Sequence, residues 1–133
     1  MNVKRTGTEA LTTKYTRLKE RQMGAIKQSE LTPEEISPGR RRYLAHTDHL
    51  MIVLFEFNDG PTSQPDPPHS HPHEQVACVV SGEILFFMEG KSTRLGPGDF
   101  YTVPPNVPHT VQLLTKQVRI VDAFTPIRKD FLK

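Results

Sequence analysis

A short histidine-rich stretch contains most of the residues whose types and spacing could do chemistry. Residues 69–75, with the sequence HSHPHEQ, hold three of the six histidines of the chain together with a carboxylate and a carboxamide. A fourth histidine, His109, follows much later. Imidazole is the commonest side-chain metal ligand, and two histidines separated by one residue point to the same side of a strand. We therefore predict a metal site formed by His69, His71, Gln75 and His109 on two neighbouring strands.

Two adjacent residues, Gln75 and Glu74, could supply the oxygen ligand of this site. Gln75 shares its parity with His71, whereas Glu74 would point to the other side of a regular strand. A bend at the intervening proline would weaken that argument, so Glu74 stays an alternative. His73 is expected at the rim of the site. The two remaining histidines have no comparable spacing and are expected at the surface or at strand ends: His46 and His49.

The charge of the ligand set indicates what a bound metal would do. Three imidazoles and one carboxamide are neutral, so the ion would keep its full positive charge for Lewis-acid work on an anionic oxygen ligand. Four protein ligands also leave coordination positions open in an octahedral ion. Imidazole accepts Ni, Zn, Fe, Mn or Co, so the ligand set predicts one divalent transition metal without naming it.

A second chemical feature lies in the last predicted strand. Val118, Ile120, Asp122 and Phe124 alternate onto one face. An acid that continues an apolar row is expected to lose water, which raises its pKa towards that of a useful general acid or base. The alternative is that Asp122 is a strand-end aspartate bonded to a loop.

The elements that must position these residues are short strands. The 133 residues suffice for one domain with its own core, and twelve prolines and eight glycines favour many turns. Apolar runs and turn signals predict seven strands, which makes the chain an all-β sandwich or barrel. The predicted strands cover residues 50–57, 75–81, 83–88, 91–95, 100–103, 109–114 and 118–124.

Two segments before these strands have distinct patterns. Residues 32–35, Thr-Pro-Glu-Glu, resemble a helix start and predict a single turn, because Ser-Pro-Gly follows at 37–39. Residues 40–42 are three consecutive arginines. They are interpreted as a solvated strand edge, or alternatively as a strand from which one arginine points inward to meet an anion.

The amino terminus differs from the rest in charge. Residues 1–25 carry six lysines and arginines against two acids, so the net charge of +2 arises in this segment and the remainder is −2. We predict an N-terminal extension over residues 1–25, as a loose helix or a dimer contact, and a domain over 26–133. The small net charge argues against nucleic acid as a partner.

Compartment and partners follow from what the composition lacks. Cys78 is the only cysteine, so an intrachain disulfide is impossible, which suits a reducing compartment. The sequence has no apolar stretch typical of a secretory signal or a membrane span. A cytoplasmic protein is therefore expected, with no membrane partner.

Two motifs now point to a family. The sequence resembles small single-domain cupins, which fold as a double-sheet jelly roll, also called a double-stranded β-helix. Their first motif is His-x-His, three or four residues, Glu or Gln, then Gly after six more. Their second motif is Gly, five residues, Pro-x-Gly, two residues, His. The matching residues here are His69, His71, Gln75 and Gly82, then Gly98, Pro104, Asn106 and His109.

Departures from the motifs are small. Asn106 stands in place of the usual Gly, and Asn tolerates positive φ better than most residues. Leu113 replaces a late Asn that is not a ligand. The resemblance implies the jelly-roll fold and the metal site, and small cupins commonly form homodimers through an edge strand, which covers an exposed sheet edge.

The tail resembles one cupin subfamily more closely. Residues 122–128 contain Asp-x-Phe-x-Pro-x-Arg, found in the pectin- and alginate-degradation cupins that convert 4,5-unsaturated monouronates to linear ketonised sugars. By this resemblance Asp122 and Arg128 would be catalytic, and Phe124 and Arg128 would bind a small anionic substrate. Two other hypotheses stay open: a metal-dependent cupin dioxygenase, and a binding or sensing module in which a metal only holds the strands.

Overall fold

The structure is a computed structural model that describes residues 24–132, and strands dominate these residues. Two short 3-10 helices, Gln28–Glu30 and Lys129–Leu132, lie at the two ends. The strands are β1 (Glu34–Ser37), β2 (Arg40–His46), β3 (Met51–Phe57), β4 (Glu74–Ser81), β5 (Ile84–Met88), β6 (Lys91–Leu95), β7 (Phe100–Val103), β8 (His109–Leu113) and β9 (Val118–Thr125).

The strands form two antiparallel sheets that share one core. The larger sheet has six strands in the order β1-β2-β3-β9-β4-β7, and the smaller has three in the order β6-β5-β8. Val79 from the larger sheet and Ile84 and Leu113 from the smaller one are fully buried in the same apolar cluster. This arrangement confirms the all-β prediction, because each sheet covers the apolar face of the other.

Strand β9 lies at the centre of the larger sheet, where it pairs with β3 on one side and β4 on the other. Its residues alternate strictly between buried and partly exposed, starting from buried Val118. The predicted inward row is therefore confirmed, and it includes Asp122, which is only 4% exposed. A central strand has neighbours on both edges, so a side chain on its inner face is held from both sides.

The single-turn helix predicted at residues 32–35 is wrong. Glu34 begins strand β1, and its Cα pairs with that of Arg42 in an antiparallel hairpin. The Glu34 carboxylate also accepts a hydrogen bond from Arg42 Nε at 2.9 Å. Pairing with the next strand satisfies the backbone of this segment better than an isolated helical turn would, since a single turn fixes several dihedrals for one hydrogen bond.

The prediction that the first two histidine ligands lie on a strand also needs correction. Strand β4 begins only at Glu74, and His69 takes part in a single isolated bridge with His109. His69 and His71 therefore lie in the loop that leads into β4, and His109 begins β8 of the other sheet, so the two motifs do not lie on neighbouring strands. The prolines around them, which cannot donate to a sheet ladder, account for the late start of the strand.

The predicted N-terminal extension falls almost wholly on residues 1–23, which lie outside the described residues. Its boundary at residue 25 stays a prediction. In the part of the chain that is described, no helix is both long and apolar enough to cross a membrane.

Candidate metal centre and adjoining cavity

Backbone hydrogen bonds bring the two histidine motifs together. His69 N donates to the carbonyl oxygen of His109 at 3.1 Å, and His109 N donates back to His69 at 3.0 Å. Asn106 N donates to the carbonyl of His71 at 2.7 Å, from a turn in which Asn106 has φ 65°. The Asn in place of Gly therefore keeps the turn. As a result, ring nitrogens of His69, His71 and His109 all lie within 4.8 Å of one another.

The hydrogen bonds of two rings determine which nitrogen faces the cluster. His71 Nδ1 lies 2.9 Å from the carbonyl oxygen of His73, and His109 Nδ1 lies 2.8 Å from that of Val107. A carbonyl oxygen only accepts, so the contact with Val107 places the proton of a neutral His109 ring on Nδ1 and leaves a lone pair on Nε2. His109 Nε2 is buried and has no hydrogen-bond partner. Backbone carbonyls commonly fix metal-binding histidines in this tautomer.

Gln75 adds a third acceptor at the same point. Its side-chain nitrogen donates to Asp122 Oδ1 at 3.0 Å, so its oxygen Oε1 faces His71 Nε2, also at 3.0 Å. A neutral His71 ring carries one N–H but faces an oxygen at each ring nitrogen, so one of the two contacts has no donor. The donor set of Gln75, His71, His69 and His109 thus fits a divalent transition metal, which accepts imidazole nitrogen and carboxamide oxygen.

Glu74, the alternative ligand, lies elsewhere. It is exposed at the start of β4, whereas Gln75 is 6% exposed and points into the sandwich. The alternation of the strand begins at Glu74 and places its carboxylate on the outer face of the sheet.

Burial changes the protonation of the groups around the cluster. Loss of water around the ring, with smaller contributions from His109, His71 and Arg128, lowers the pKa of His69 to about 4. Burial likewise lowers the pKa of His109, opposed by the bond to Val107. At neutral pH both rings are therefore uncharged and free of competing protons, as metal binding requires.

Asp122 responds to burial in the opposite sense. Loss of water raises its pKa to about 7, opposed by hydrogen bonds from Gln75 and Tyr101 and by the charge of Arg128. Tyr101 Oη lies 3.5 Å from Oδ1, the same oxygen that accepts from Gln75. Both donors thus bond Oδ1. A carboxyl group with this pKa can give and take a proton near neutrality.

The cluster lies in a cavity of about 270 Å³ between the sheets. The residues that line it include every side chain predicted from the sequence to bind metal, to be catalytic or to contact substrate. These are His69, His71, Gln75, His109, Asp122, Phe124 and Arg128. His73, expected at the rim, does not line the cavity, although its ring centroid lies 5.7 Å from that of His71.

Several further residues line the cavity that the sequence prediction did not assign to the site, among them Tyr101, Phe131 and Arg42. Tyr101 comes from the short strand β7, and its ring stacks on Phe86 with centroids 4.2 Å apart. Phe131 comes from the C-terminal 3-10 helix and lies under the guanidinium carbon of Arg128, 4.2 Å from its ring centroid. Arg42 comes from β2. Alternation along β7 and β2 could have indicated Tyr101 and Arg42; nothing in the sequence pattern indicated Phe131.

The two sheets and the histidine cluster define a class of protein: an all-β jelly roll with a three-histidine site that could hold a metal. The sequence matches the family described as "Cupin domain" over residues 53–124, which is more than half of the chain. The chain therefore belongs to the cupin family.

Two proteins of similar sequence match this chain over different fractions of its length. The pectin degradation protein KdgF of Dickeya dadantii (strain 3937) is 35% identical over 101 residues, which is 74% of this chain and 89% of that protein. Quercetin 2,3-dioxygenase of Bacillus subtilis (strain 168) is 28% identical over 82 residues. The match covers 61% of this chain but only 24% of the dioxygenase.

Solved structures agree with the fold. KdgF from Halomonas sp. superposes with a TM-score of 0.73 at 32% identity, over 81% of this chain and 99% of that one. An RmlC-like cupin from Shewanella frigidimarina also has a TM-score of 0.73, at 31% identity, over 84% of this chain and 98% of its own length.

Metal content of single variants tests the proposed ligand set. His71→Ala and His109→Ala each remove a lone pair that faces the cluster, so each is expected to abolish stoichiometric metal in elemental analysis. Gln75→Ala should weaken metal binding less, because a carboxamide oxygen is the poorer donor. Glu74→Ala is the matched control and should keep the parent's metal content.

A different ranking would contradict this ligand set. Full metal content in either histidine variant would exclude the four-ligand site. Greater loss in Glu74→Ala than in Gln75→Ala would show that the carboxylate is the ligand and that the site is not neutral.

Proposed function

We propose that the chain is a metal-dependent enzyme that converts 4,5-unsaturated monouronates, which are small carboxylated sugars, to linear ketonised forms. The observation that carries the proposal is the link between the acid and the histidine cluster. Gln75 contacts His71 with its oxygen and Asp122 with its nitrogen, both at 3.0 Å. The similarity to proteins named for pectin degradation supports the same substrate class.

His69, His71, Gln75 and His109 would hold one divalent ion, whose identity among Ni, Zn, Fe, Mn and Co is left open. When bound, the ion would supply Lewis-acid stabilisation of negative charge on a sugar oxygen. The neutral ligands would leave its full charge available for this role.

Asp122 would carry the proton that turns the enol into the ketone. Because both of its hydrogen-bond donors contact Oδ1, the other carboxyl oxygen, Oδ2, is left for exchange with the substrate. Its pKa of about 7 keeps both protonation states populated near neutrality.

Arg128 and Phe124 would place the sugar acid. The Arg128 guanidinium carbon lies 5.3 Å from the Phe124 ring centroid, and both side chains line the cavity. The Nε and Nη2 atoms of Arg128 donate hydrogen bonds to the Asp130 carboxylate, at 3.2 and 2.8 Å. The Nη1 edge would then donate to the substrate carboxylate, while Phe124 would pack against the sugar and limit water.

Substitution of Asp122 tests the catalytic role. Asp122→Asn keeps the shape of the side chain but cannot exchange a proton. Turnover of a 4,5-unsaturated uronate should fall by about 10²–10⁴, the usual contribution of a general acid or base. Metal content and melting temperature should stay near the parent values. Unchanged turnover together with a lower melting temperature would mean that Asp122 is structural.

Arg128→Lys is the companion variant. Lysine keeps the positive charge but lacks the planar fork, so the main effect should be on KM.

A dioxygenase acting on another small substrate is the second candidate, favoured by the partial match to quercetin 2,3-dioxygenase. Oxygen consumption that accompanies turnover would select it. Retained ligand binding after removal of metal by a chelator would instead favour a binding or sensing module.

We further propose that the enzyme is a cytoplasmic homodimer. The outer face of the six-stranded sheet presents Ile52, Val76 and Phe100, which are 50%, 52% and 70% exposed. Register places Ile52 and Val76 in one row across β9. An apolar patch of this kind on a soluble domain is typical of an interface.

Charged residues at the two ends of this face favour a second copy as the occupant. Glu74 lies at one end. At the other end Arg41 and Arg119 both pair with Glu56, and Glu35 lies opposite Arg41. A two-fold axis across the strands would exchange the ends, so that Glu74 of one copy meets the two arginines of the other.

Light scattering on a charged variant tests this interface. Val76→Glu should convert the dimer to a monomer at micromolar concentration, because the interface would bury an unpaired carboxylate. Ser92→Glu, on exposed β6 of the other sheet, is the control and should remain dimeric. A monomeric parent, or a dimeric Val76→Glu variant, would contradict the proposed interface.

A further inference from the structure

The three consecutive arginines of β2 separate into two groups. Strand alternation turns Arg40 and Arg42 towards the cavity, with side chains 16% and 12% exposed, whereas Arg41 points outward and is 49% exposed. Two of the three therefore face inward, in accord with the alternative interpretation of this triplet. The proposed function uses neither of them.

Arg40 is engaged by two acids. Its Nε donates to Asp59 at 2.9 Å and its Nη1 donates to Asp66 at 2.7 Å. Two carboxylates outweigh its single charge. Arg40 therefore fixes the loop that carries these aspartates and has little attraction left for a ligand.

Arg42 has only one acidic partner among the described residues. Its Nε and Nη2 both contact the same oxygen of Glu34, at 2.9 and 2.8 Å. The Glu34 side chain is 55% exposed, so solvent screens much of its charge. The Nη1 edge of Arg42 makes no hydrogen bond within the described residues. An inward-facing guanidinium group with an uncommitted edge remains attractive to an anion.

Arg42 and Arg128 both stack on the same aromatic ring, that of Phe131. The guanidinium carbon of Arg42 lies 3.7 Å from the ring centroid of Phe131, and that of Arg128 lies 4.2 Å from the same centroid. Phe131 also contacts Phe55 and Phe124 edge-on, so the ring is fixed in place. Stacking on this ring holds both cations close together in the wall of the cavity.

We propose that Arg42 is an additional substrate-binding residue, which donates from its Nη1 edge to an anionic oxygen of the carboxylated ligand and makes the cavity select acidic over neutral sugars. The identity of the ligand as a uronate rests on the proposed function. Arg128 would bind the same ligand, with Phe131 as the spacer between the two guanidinium groups.

Kinetics of matched arginine variants provide the first test. In the metal-loaded enzyme, Arg42→Gln should raise KM for a 4,5-unsaturated uronate about ten- to hundred-fold, the loss expected for a hydrogen bond to a charged group, while kcat stays within about three-fold. Arg41→Gln, one residue away but on the outer face, should match the parent. Arg42→Lys should restore part of the affinity.

Removal of the acid separates ligand binding from structural pairing. Glu34→Gln breaks the ion pair but leaves the cation, so KM should stay the same or fall. If Glu34→Gln raises KM as much as Arg42→Gln does, the ion pair is structural and the inference is wrong. Equal KM values for Arg42→Gln and Arg41→Gln would also overturn it.

Direct binding distinguishes failure of this inference from failure of the proposed function. Calorimetry on the metal-loaded protein should show binding of D-galacturonate at least ten-fold tighter than binding of D-galactose, and Arg42→Gln should lower that preference by about ten-fold, the loss of one hydrogen bond to a charged group. An inactive parent that still shows this pattern would refute the uronate conversion and support the role of Arg42. A parent that binds both sugars equally would refute the role of Arg42, whatever the assay shows.

Discussion

The shortage of hydrogen-bond donors around Gln75 Oε1 is the constraint on which the site depends. His71 Nε2 and His109 Nε2 face the same space because their Nδ1 atoms are engaged by backbone carbonyls. Gln75 directs its oxygen there because its nitrogen is engaged by Asp122. Buried acceptors that outnumber the N–H donors between them are costly, and a bound cation would stabilise all of them together. The proposed chemistry follows from this arrangement, because the same amide that faces the cation also faces the buried acid.

The fold supplies the rigidity that this arrangement needs. Asp122 is on β9, which pairs with β3 and β4, and Gln75 is on β4, directly across the register from Phe124. The acid and the amide thus come from adjacent strands of one sheet. His69 and His71 come from the loop before β4, whereas His109 is the first residue of β8, and backbone bonds between His69 and His109 tie the loop to that strand. A loop site fixed in this way can be both accessible to a ligand and well ordered.

Much of this could be predicted from the sequence because it depends on short-range patterns. Alternation in residues 118–124 predicted the inward row of β9, and the spacing of the histidines indicated residues that do converge. Non-local pairing explains the failures. The residues from Thr32 to Glu35 carry helix-start signals, yet Glu34 pairs with Arg42, eight residues away, and becomes an edge strand. The contact of Phe131 with Arg42 joins two ends of the domain, and no local pattern encodes it.

The most direct test of the account is the position of the metal in a crystal of the loaded protein, located by anomalous scattering. The account predicts one ion within about 2.0–2.3 Å of the Nε2 atoms of His71 and His109, of a ring nitrogen of His69 and of Gln75 Oε1. The Gln75 nitrogen should still donate to Asp122. An ion bound by Glu74, or a Gln75 amide whose nitrogen faces the metal, would contradict it.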